Sequence, residues 1–177
     1  MNLTSYKSKK KIDKDTVVYE YSQTHINKRT QRKVDKINHL DKVLPKIRSQ
    51  AKKDLTNKDP KIKLPALAVL LIDHTYERIG NPSSAEENEH YGVTTWLKKH
   101  IKFQGQKSLL NYVGKSGVKH KKEVTDASLV SRLKELTKGK KPDDIILSED
   151  DYTVACQDVN DYLKPFKITA KDLRGYH

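Results

Sequence analysis

The chain has 177 residues, with 36 Lys plus Arg against 23 Asp plus Glu, a formal charge of +13 and a mean hydropathy of −0.85. That length supports one ordinary domain, or two small ones, around a modest core. No apolar run reaches the ~18–20 residues of a membrane span, and the first residues lack the apolar stretch of a secretory signal. The single cysteine, Cys156, excludes an internal disulfide and a cysteine-based metal cluster. What remains is a basic, intracellular protein, not secreted, whose expected partner is a polyanion.

The charge is unevenly placed. Residues 1–60 carry 16 basic and 7 acidic side chains, and residues 91–141 carry 13 and 3. Residues 142–163 then carry 7 acidic side chains and no basic one. A merely solvated surface mixes its signs. A strongly basic block followed by an acidic one suggests a face turned toward phosphate and another turned away from it. Lysine-rich composition by itself is the bland alternative.

In chain order, the polar, lysine-rich residues 1–15 read as a flexible tail, with the folded region expected over 16–177. Thr16 to Tyr21 is a short strand candidate. From Thr30 to Leu55, apolar residues (Val34, Ile37, Leu40, Leu44, Ile47, Ala51, Leu55) recur three or four apart, the stripe of an amphipathic helix. Pro45 falls inside the stripe and predicts a break at Leu44, with a second helix opening there. Pro65 opens the most hydrophobic segment, read as a central core helix that runs through Ile79 and ends at Gly80. Residues 82–91 are a polar loop or short helix. His100–Gln104, Lys107–Val113 and Val118–Val124 read as three short antiparallel strands, turned by Gly105-Gln106 and Gly114-Lys115-Ser116-Gly117. Helices are expected around Ala127–Leu136 and Asp150–Leu163, the second with a Ser148/Asp151 capping box, and another begins near Thr169.

Three elements can carry chemistry. Arg78, expected in the last turn of the core helix, is a guanidinium on a rigid support, as a phosphate clamp requires. Its bland reading is a surface arginine at a helix C-terminus. Lys115 stands at a hairpin tip in a basic neighbourhood, where nearby cations make an ammonium readier to release its proton. Gly-Lys-Ser-Gly lacks the upstream glycine spacing of a nucleotide-binding loop. Lys171 and Arg174 are spaced to share one helix face and grip one phosphate. The histidines show no metal-ligand spacing, so no metal is expected; His25 and His100 read as polar contacts or phosphate donors. Ser83-Ser84 and Thr94-Thr95 are hydroxyls that could donate to a phosphate backbone or simply cap loops. Trp96 reads as core and Cys156 as structural.

Taken in order, Tyr-Glu-Arg78-Ile-Gly-Asn81, Tyr91-Gly-Val-Thr-Thr-Trp-Leu-Lys-Lys-His100-Ile, Tyr112-Val-Gly-Lys115-Ser-Gly and Thr169-Ala-Lys171-Asp-Leu-Arg174 resemble the catalytic domain of type IB DNA topoisomerases, nearest the compact bacterial and poxvirus branch. The resemblance extends over roughly 17–177. It implies an α+β, mainly helical domain with a small three-stranded antiparallel sheet. It implies a tyrosine hydroxyl that attacks a duplex-DNA phosphodiester to give a 3′-phosphotyrosyl link, with neither cofactor nor metal. By position, Arg78 and Arg174 match the phosphate-clamping arginines, Lys115 the general acid, and Lys171 a further contributor to proton transfer. Asn81, Tyr91, Thr94, Thr95, Lys98, Lys99 and His100 would follow the DNA backbone. Where the family usually carries a tyrosine after the Arg-x-Gly step, this chain has Ser83-Ser84. The family's catalytic histidine and nucleophilic tyrosine lie several dozen residues beyond the second arginine, whereas here His177 is the third residue after Arg174. The expectation is therefore a fragment that needs a companion chain or a further C-terminal segment, acting in a bacterial cytoplasm or nucleoid, a nucleus or a viral factory. A catalytically inactive duplex-binding module and a tyrosine recombinase relative are the alternatives; the Lys-x-x-Arg form argues against the second.

Overall fold

The structure, a computed structural model, describes residues 6–11, 17–21 and 23–176, with side chains described for Lys28 and for residues 30–175. The chain divides into two units, residues 1–42 and 43–177. In the first, β1 (Tyr6–Lys11) pairs antiparallel with β2 (Val17–Tyr21), with a register shift between Tyr6 and Ser8. A strand thus stands within the stretch read as a flexible tail. The remainder of that tail, Thr16 and His177 lie outside the described residues, as does the side chain of His25.

The long helix α1 (Gln23–Asp54) is continuous through Pro45, against the expected break. Pro45 faces solvent, while Leu44, Ile47, Ala51 and Leu55 are all buried along one stripe. Keeping that stripe in register outweighs the hydrogen bond that proline cannot donate. Within the second unit, Arg48 holds Asp73 with two parallel bonds, Nε–Oδ2 at 2.7 Å and Nη2–Oδ1 at 3.0 Å. The hydroxyl of Tyr162 donates to Asp54 at 2.6 Å.

The core is built on α2 (Pro60–Thr75), which starts five residues earlier than Pro65 suggested. Asp59 caps it, accepting from the Lys61 amide, and Pro60 occupies the first turn, where its missing donor costs nothing. Every residue from Leu64 to Ile72 is buried. At roughly 1.5–3 kcal/mol for each large aliphatic side chain removed from water, this helix is the largest single source of hydrophobic stabilisation. It packs against α4 (Ala127–Thr137), α5 (Cys156–Leu163), α6 (Ala170–Tyr176) and one edge strand of the sheet.

The sheet is β3 (Ile101–Gln104), β4 (Lys107–Val113) and β5 (Lys119–Val124), in that order and antiparallel throughout. The three strands expected from sequence are therefore present, and the α+β, mainly helical class holds. In β4, Ser108, Leu110 and Tyr112 are buried on one face. On β5, Lys119, Lys121 and Glu123 stay exposed.

The helix expected over Asp150–Leu163 is present only from Cys156: its first residues form instead a hairpin of β6 (Ser148–Glu149) and β7 (Tyr152–Thr153), with Asp150 left-handed at φ 54°. Asp151 is not a capping residue: Asp158 accepts from the Ala155 amide at 3.0 Å and from the Tyr152 hydroxyl at 2.8 Å, so α5 starts at Cys156. Among the described residues no helix is long and apolar enough to cross a membrane.

Replacing Pro45 by Ala should raise stability by about 1–2 kcal/mol, since Ala restores a helix donor at an exposed position and loses part of the gain in unfolded-state entropy. The measurement is the urea midpoint; a lowered midpoint for Pro45→Ala would show that the helix is not continuous there.

Candidate active site

The segment that carries Arg78 is extended, not helical. Tyr76 ends α2 in the left-handed conformation (φ 60°, ψ 24°), its amide bonded to the Ile72 carbonyl at 2.9 Å. Glu77 to Asn81 then run beside Gly92–Thr94: the Val93 amide donates to the Arg78 carbonyl at 2.9 Å and the Thr94 amide to the Ile79 carbonyl at 2.8 Å. The approach is close enough that a Cβ on Gly92 would lie 2.5 Å from the Gly80 nitrogen and 2.7 Å from the Arg78 oxygen. Gly80 itself takes φ +95°.

The threonines expected to contact a phosphate backbone are instead internal braces. Thr94 and Thr95 are buried; the Thr94 hydroxyl donates to the Ile79 carbonyl at 2.7 Å, and Thr95 Oγ1 accepts the Gly92 amide at 2.9 Å. The Cys156 thiol donates to the Gly80 carbonyl at 2.7 Å, and burial raises its pKa, which keeps it a thiol. Asn81 caps α3 (Pro82–Asn88), accepting from the Ser83 amide at 2.9 Å.

Lys115 stands where the sequence placed it, in a turn that joins β4 to β5. The Gly114 amide donates to the Val118 carbonyl at 2.8 Å, and Ser116 and Gly117 are both left-handed (φ 66° and 74°). Lys171 and Arg174 lie on α6. Its first turn is closed by reciprocal bonds between Thr169 and Asp172, and the Ala170 amide donates to Asn160 Oδ1 at 2.9 Å. Leu173, between the two cations, is fully buried and anchors the helix. Arg174 Nε donates to the Tyr76 carbonyl at 3.2 Å, so α6 is also tied to the end of α2.

These elements bring Arg78, Lys115, Lys171 and Arg174 to a single cleft of about 510 Å³, with Asn81, Ser84, His90, Tyr91 and Cys156 also on its wall. Among the described residues, Arg78, Lys115 and Lys171 have no carboxylate within ion-pair distance. Four cations, Arg78, Lys115, Lys171 and Arg174, thus converge on one cleft and make its wall strongly positive.

Lys98, Lys99 and His100 do not line this cleft. The Lys98 ammonium donates to the Lys140 carbonyl at 2.6 Å, and Lys99 pairs with Asp143 at 3.1 Å, which raises its pKa. Both follow from main-chain pairing of residues 96–99 with 142–146, which sets the start of the acidic block beside these lysines. His100 Nδ1 accepts the Leu97 amide at 2.9 Å, and its ring packs tilted against that of Tyr91, with centroids 4.4 Å apart and an interplanar angle of 58°. Burial, helped by the charge on Lys99, lowers its pKa to about 4.

Sequence reasoning passed over Glu77, Tyr112, His120 and Gly92. The buried Glu77 accepts the Arg78 amide at 2.8 Å and the Tyr112 hydroxyl at 2.5 Å, and lies 3.5 Å from His120 Nδ1. The signal was present in β4: alternation puts Tyr112 on the inward face with Ser108 and Leu110, and a buried phenol needs a partner. Among the described residues no group of three or more His, Cys, Asp or Glu side chains is gathered to hold a metal ion.

Fold and cleft together define a mainly helical α+β domain with a preformed cationic site. The chain matches, over residues 22–177, the family described as eukaryotic DNA topoisomerase I, catalytic core, and it belongs to that family. It is 25% identical over 171 residues to the DNA topoisomerase 1B of Acanthamoeba polyphaga mimivirus, an alignment that covers 89% of this chain and 50% of the viral protein. The chain therefore spans about half the length of that relative.

Two outcomes test the geometry. Gly92→Ala should cost on the order of 2–3 kcal/mol, because the new methyl meets main chain on both sides; a variant as stable as the parent would disprove the close approach. For His100, the folded pKa of about 4 lies below the ordinary 6.5, so the unfolded chain binds the proton first. Its stabilising contribution is complete above pH 6.5 and is lost as pH falls toward 4. Relative to His100→Asn, the parent should therefore lose stability over that window, and a pH-independent difference in denaturation midpoint would refute the assignment.

Proposed function

We propose that this chain is the phosphodiester-gripping part of a type IB topoisomerase, and that it acts on duplex DNA. The observation that carries this reading is the convergence of Arg78, Lys115, Lys171 and Arg174, three separate sequence elements, on one cleft. Family membership and the viral DNA topoisomerase 1B support it.

In the reaction, a tyrosine oxygen forms a bond to the scissile phosphorus and loses its proton, while the bond to the 5′ oxygen breaks. Arg78 and Arg174 stabilise the non-bridging oxygens as charge develops on them, which is a stronger interaction in the transition state than in the ground state. Lys115 delivers the proton that the departing 5′ oxygen needs, and Lys171, three residues before Arg174, assists that transfer. The 3′-phosphotyrosyl link keeps the energy of the broken bond, so the freed strand swivels and resealing reverses the same steps. No external energy source enters.

The nucleophile is proposed to come from outside these 177 residues, in a companion chain or a further segment. Among the described side chains on the cleft wall, the tyrosine is Tyr91, and its ring packs tilted against His100 while its amide is bonded to the Val113 carbonyl at 2.7 Å. The residues Asn81, Ser84 and Tyr91 are the proposed DNA contacts at the cleft. Thr94, Thr95, Lys98 and Lys99 act behind it, as braces.

Binding of a labelled 30-base-pair duplex to the 177-residue chain should weaken linearly on a log–log plot against salt. Arg78→Ala or Arg174→Ala should each make that slope shallower by about one unit. The chain alone should leave a supercoiled plasmid unrelaxed, and relaxation by it would remove the external nucleophile. In a longer protein that supplies the histidine and tyrosine, Lys115→Ala should slow strand cleavage by about 10²–10⁴-fold. Cleavage at the parental rate would instead mark the cleft as a binding module.

A further inference from the structure

Glu77 stands between two of the cations that the site requires. One carboxylate oxygen accepts the main-chain amide of Arg78 at 2.8 Å; the other accepts the Tyr112 hydroxyl at 2.5 Å and faces His120 Nδ1 at 3.5 Å. Its residue is only 2% exposed. His120 and Tyr112 are cross-strand partners, and their rings stack at 5.4 Å with an interplanar angle of 23°. The His120 ring lies directly on Gly114: a Cβ there would be 2.6 Å from its Cδ2 and 2.7 Å from its Nε2. Gly114 is the residue before Lys115.

A continuous path therefore runs from the Arg78 amide through the Glu77 carboxylate to Tyr112 and His120, and from the His120 ring to the base of the Lys115 turn. Burying a carboxylate is unfavourable before its partners are counted, and an apolar residue of similar volume is often as stable or more so. A carboxylate at this position is explained when it must hold three groups from two separate segments at once. It also sets a negative charge behind a cleft whose cations repel one another.

We propose that Glu77 is a positioning residue that sets Arg78 and the Lys115 turn relative to each other, acting through Tyr112 and His120. This rests on the reading of Arg78 and Lys115 as phosphate-contacting groups. Glu77 itself is behind the cleft wall and touches no substrate. Removing it should loosen both cation-bearing segments together while the remote helices keep their order.

The test is amide hydrogen exchange on the free 177-residue chain, combined with affinity for the 30-base-pair duplex. Glu77→Leu should speed exchange at the Arg78, Gly114 and Gly117 amides tenfold or more, with the α4 amides of Leu133 and Thr137 unchanged. It should weaken duplex binding three- to tenfold, and in that background Lys115→Ala should add less than a twofold further loss. Glu77→Gln, which keeps oxygen and nitrogen hydrogen-bonding atoms in place, should restore protection and affinity to within twofold. Parental exchange at Gly114 and Gly117 in Glu77→Leu, or equal loosening of α4, would overturn the proposal, the second because it marks a general loss of stability. Should Glu77→Leu fail to fold, Tyr112→Phe decides on the same amides: faster exchange at Arg78 and Gly114 supports the path, and none refutes it. If Lys115→Ala leaves duplex binding unchanged in the parent, the phosphate-contact reading fails, while the exchange data still decide whether Glu77 joins the two segments.

Discussion

Everything at the cleft depends on two stretches of main chain that lie against each other, Arg78–Gly80 and Gly92–Thr94. Their amide and carbonyl groups bond directly, and Gly92 meets the backbone of residues 78–80 with no room for a side chain. The contact ends α2 early and makes the Arg78 segment extended. It also orders the threonine hydroxyls inward, because the carbonyls of this segment need donors once they leave a helix. From the same crossing the chain runs on to Trp96, whose carbonyl accepts the Ile146 amide, and so the position of the acidic stretch is set as well. A side chain at either glycine would separate the segments, and with them the arginine from the lysine turn.

The sequence made the four cations legible because they recur in ordered motifs with specific local supports: a glycine turn for Lys115, a capping box for α6. It also revealed the sheet, through period-two alternation broken by glycine turns. It misplaced Arg78 on a helix because Ala66 to Ile72 is apolar without interruption and Tyr76 and Ile79 continue the apolar spacing, and periodicity alone cannot say where such a segment stops being helical. The end of α2 is decided by tertiary pairing with a segment fifteen residues away, which no local propensity records. For the same reason, Thr94 and Thr95 read as surface hydroxyls. Lys98 and Lys99 read as phosphate contacts because their partners, the Lys140 carbonyl and Asp143, are more than forty residues distant. Pro45 misled in the other direction: a local rule was overridden by a buried stripe of Leu44, Ile47, Ala51 and Leu55.

The division of charge has a structural meaning different from a simple front and back. The basic block contains both paired and unpaired cations. Lys99 is neutralised by Asp143, Lys107 by Glu123, and Lys140 is half-buried, its ammonium donating to the carbonyls of Leu136 and Ser148. Burial disfavours the charged form of Lys140 and lowers its pKa. Its role is to close the end of α4. By contrast, Arg78, Lys115 and Lys171 stand at the cleft without acidic partners among the described residues. The acidic residues thus pair with lysines away from the cleft and leave the cleft cations unpaired among the described residues. Net charge by itself could not have distinguished these groups.

Each of the cleft cations is held by a different kind of support: an extended segment for Arg78, a hairpin turn for Lys115 and a capped helix for Lys171 and Arg174. No two of these supports are neighbours in sequence, and all three are referred to α2 or the strands beside it. The Arg174 guanidinium bonds to the Tyr76 carbonyl at the end of α2; Arg78 follows two residues later; and the Glu77 carboxylate between them reaches the sheet. One stretch of four residues, Thr75 to Arg78, is therefore the common reference for the whole site. A preformed arrangement of this kind is what the proposed reaction requires of its cations, which would stabilise developing charge without reorganising. It also ties the cleft to the core behind it: the buried helix that stabilises the fold is the same element that fixes the geometry of the cationic cleft.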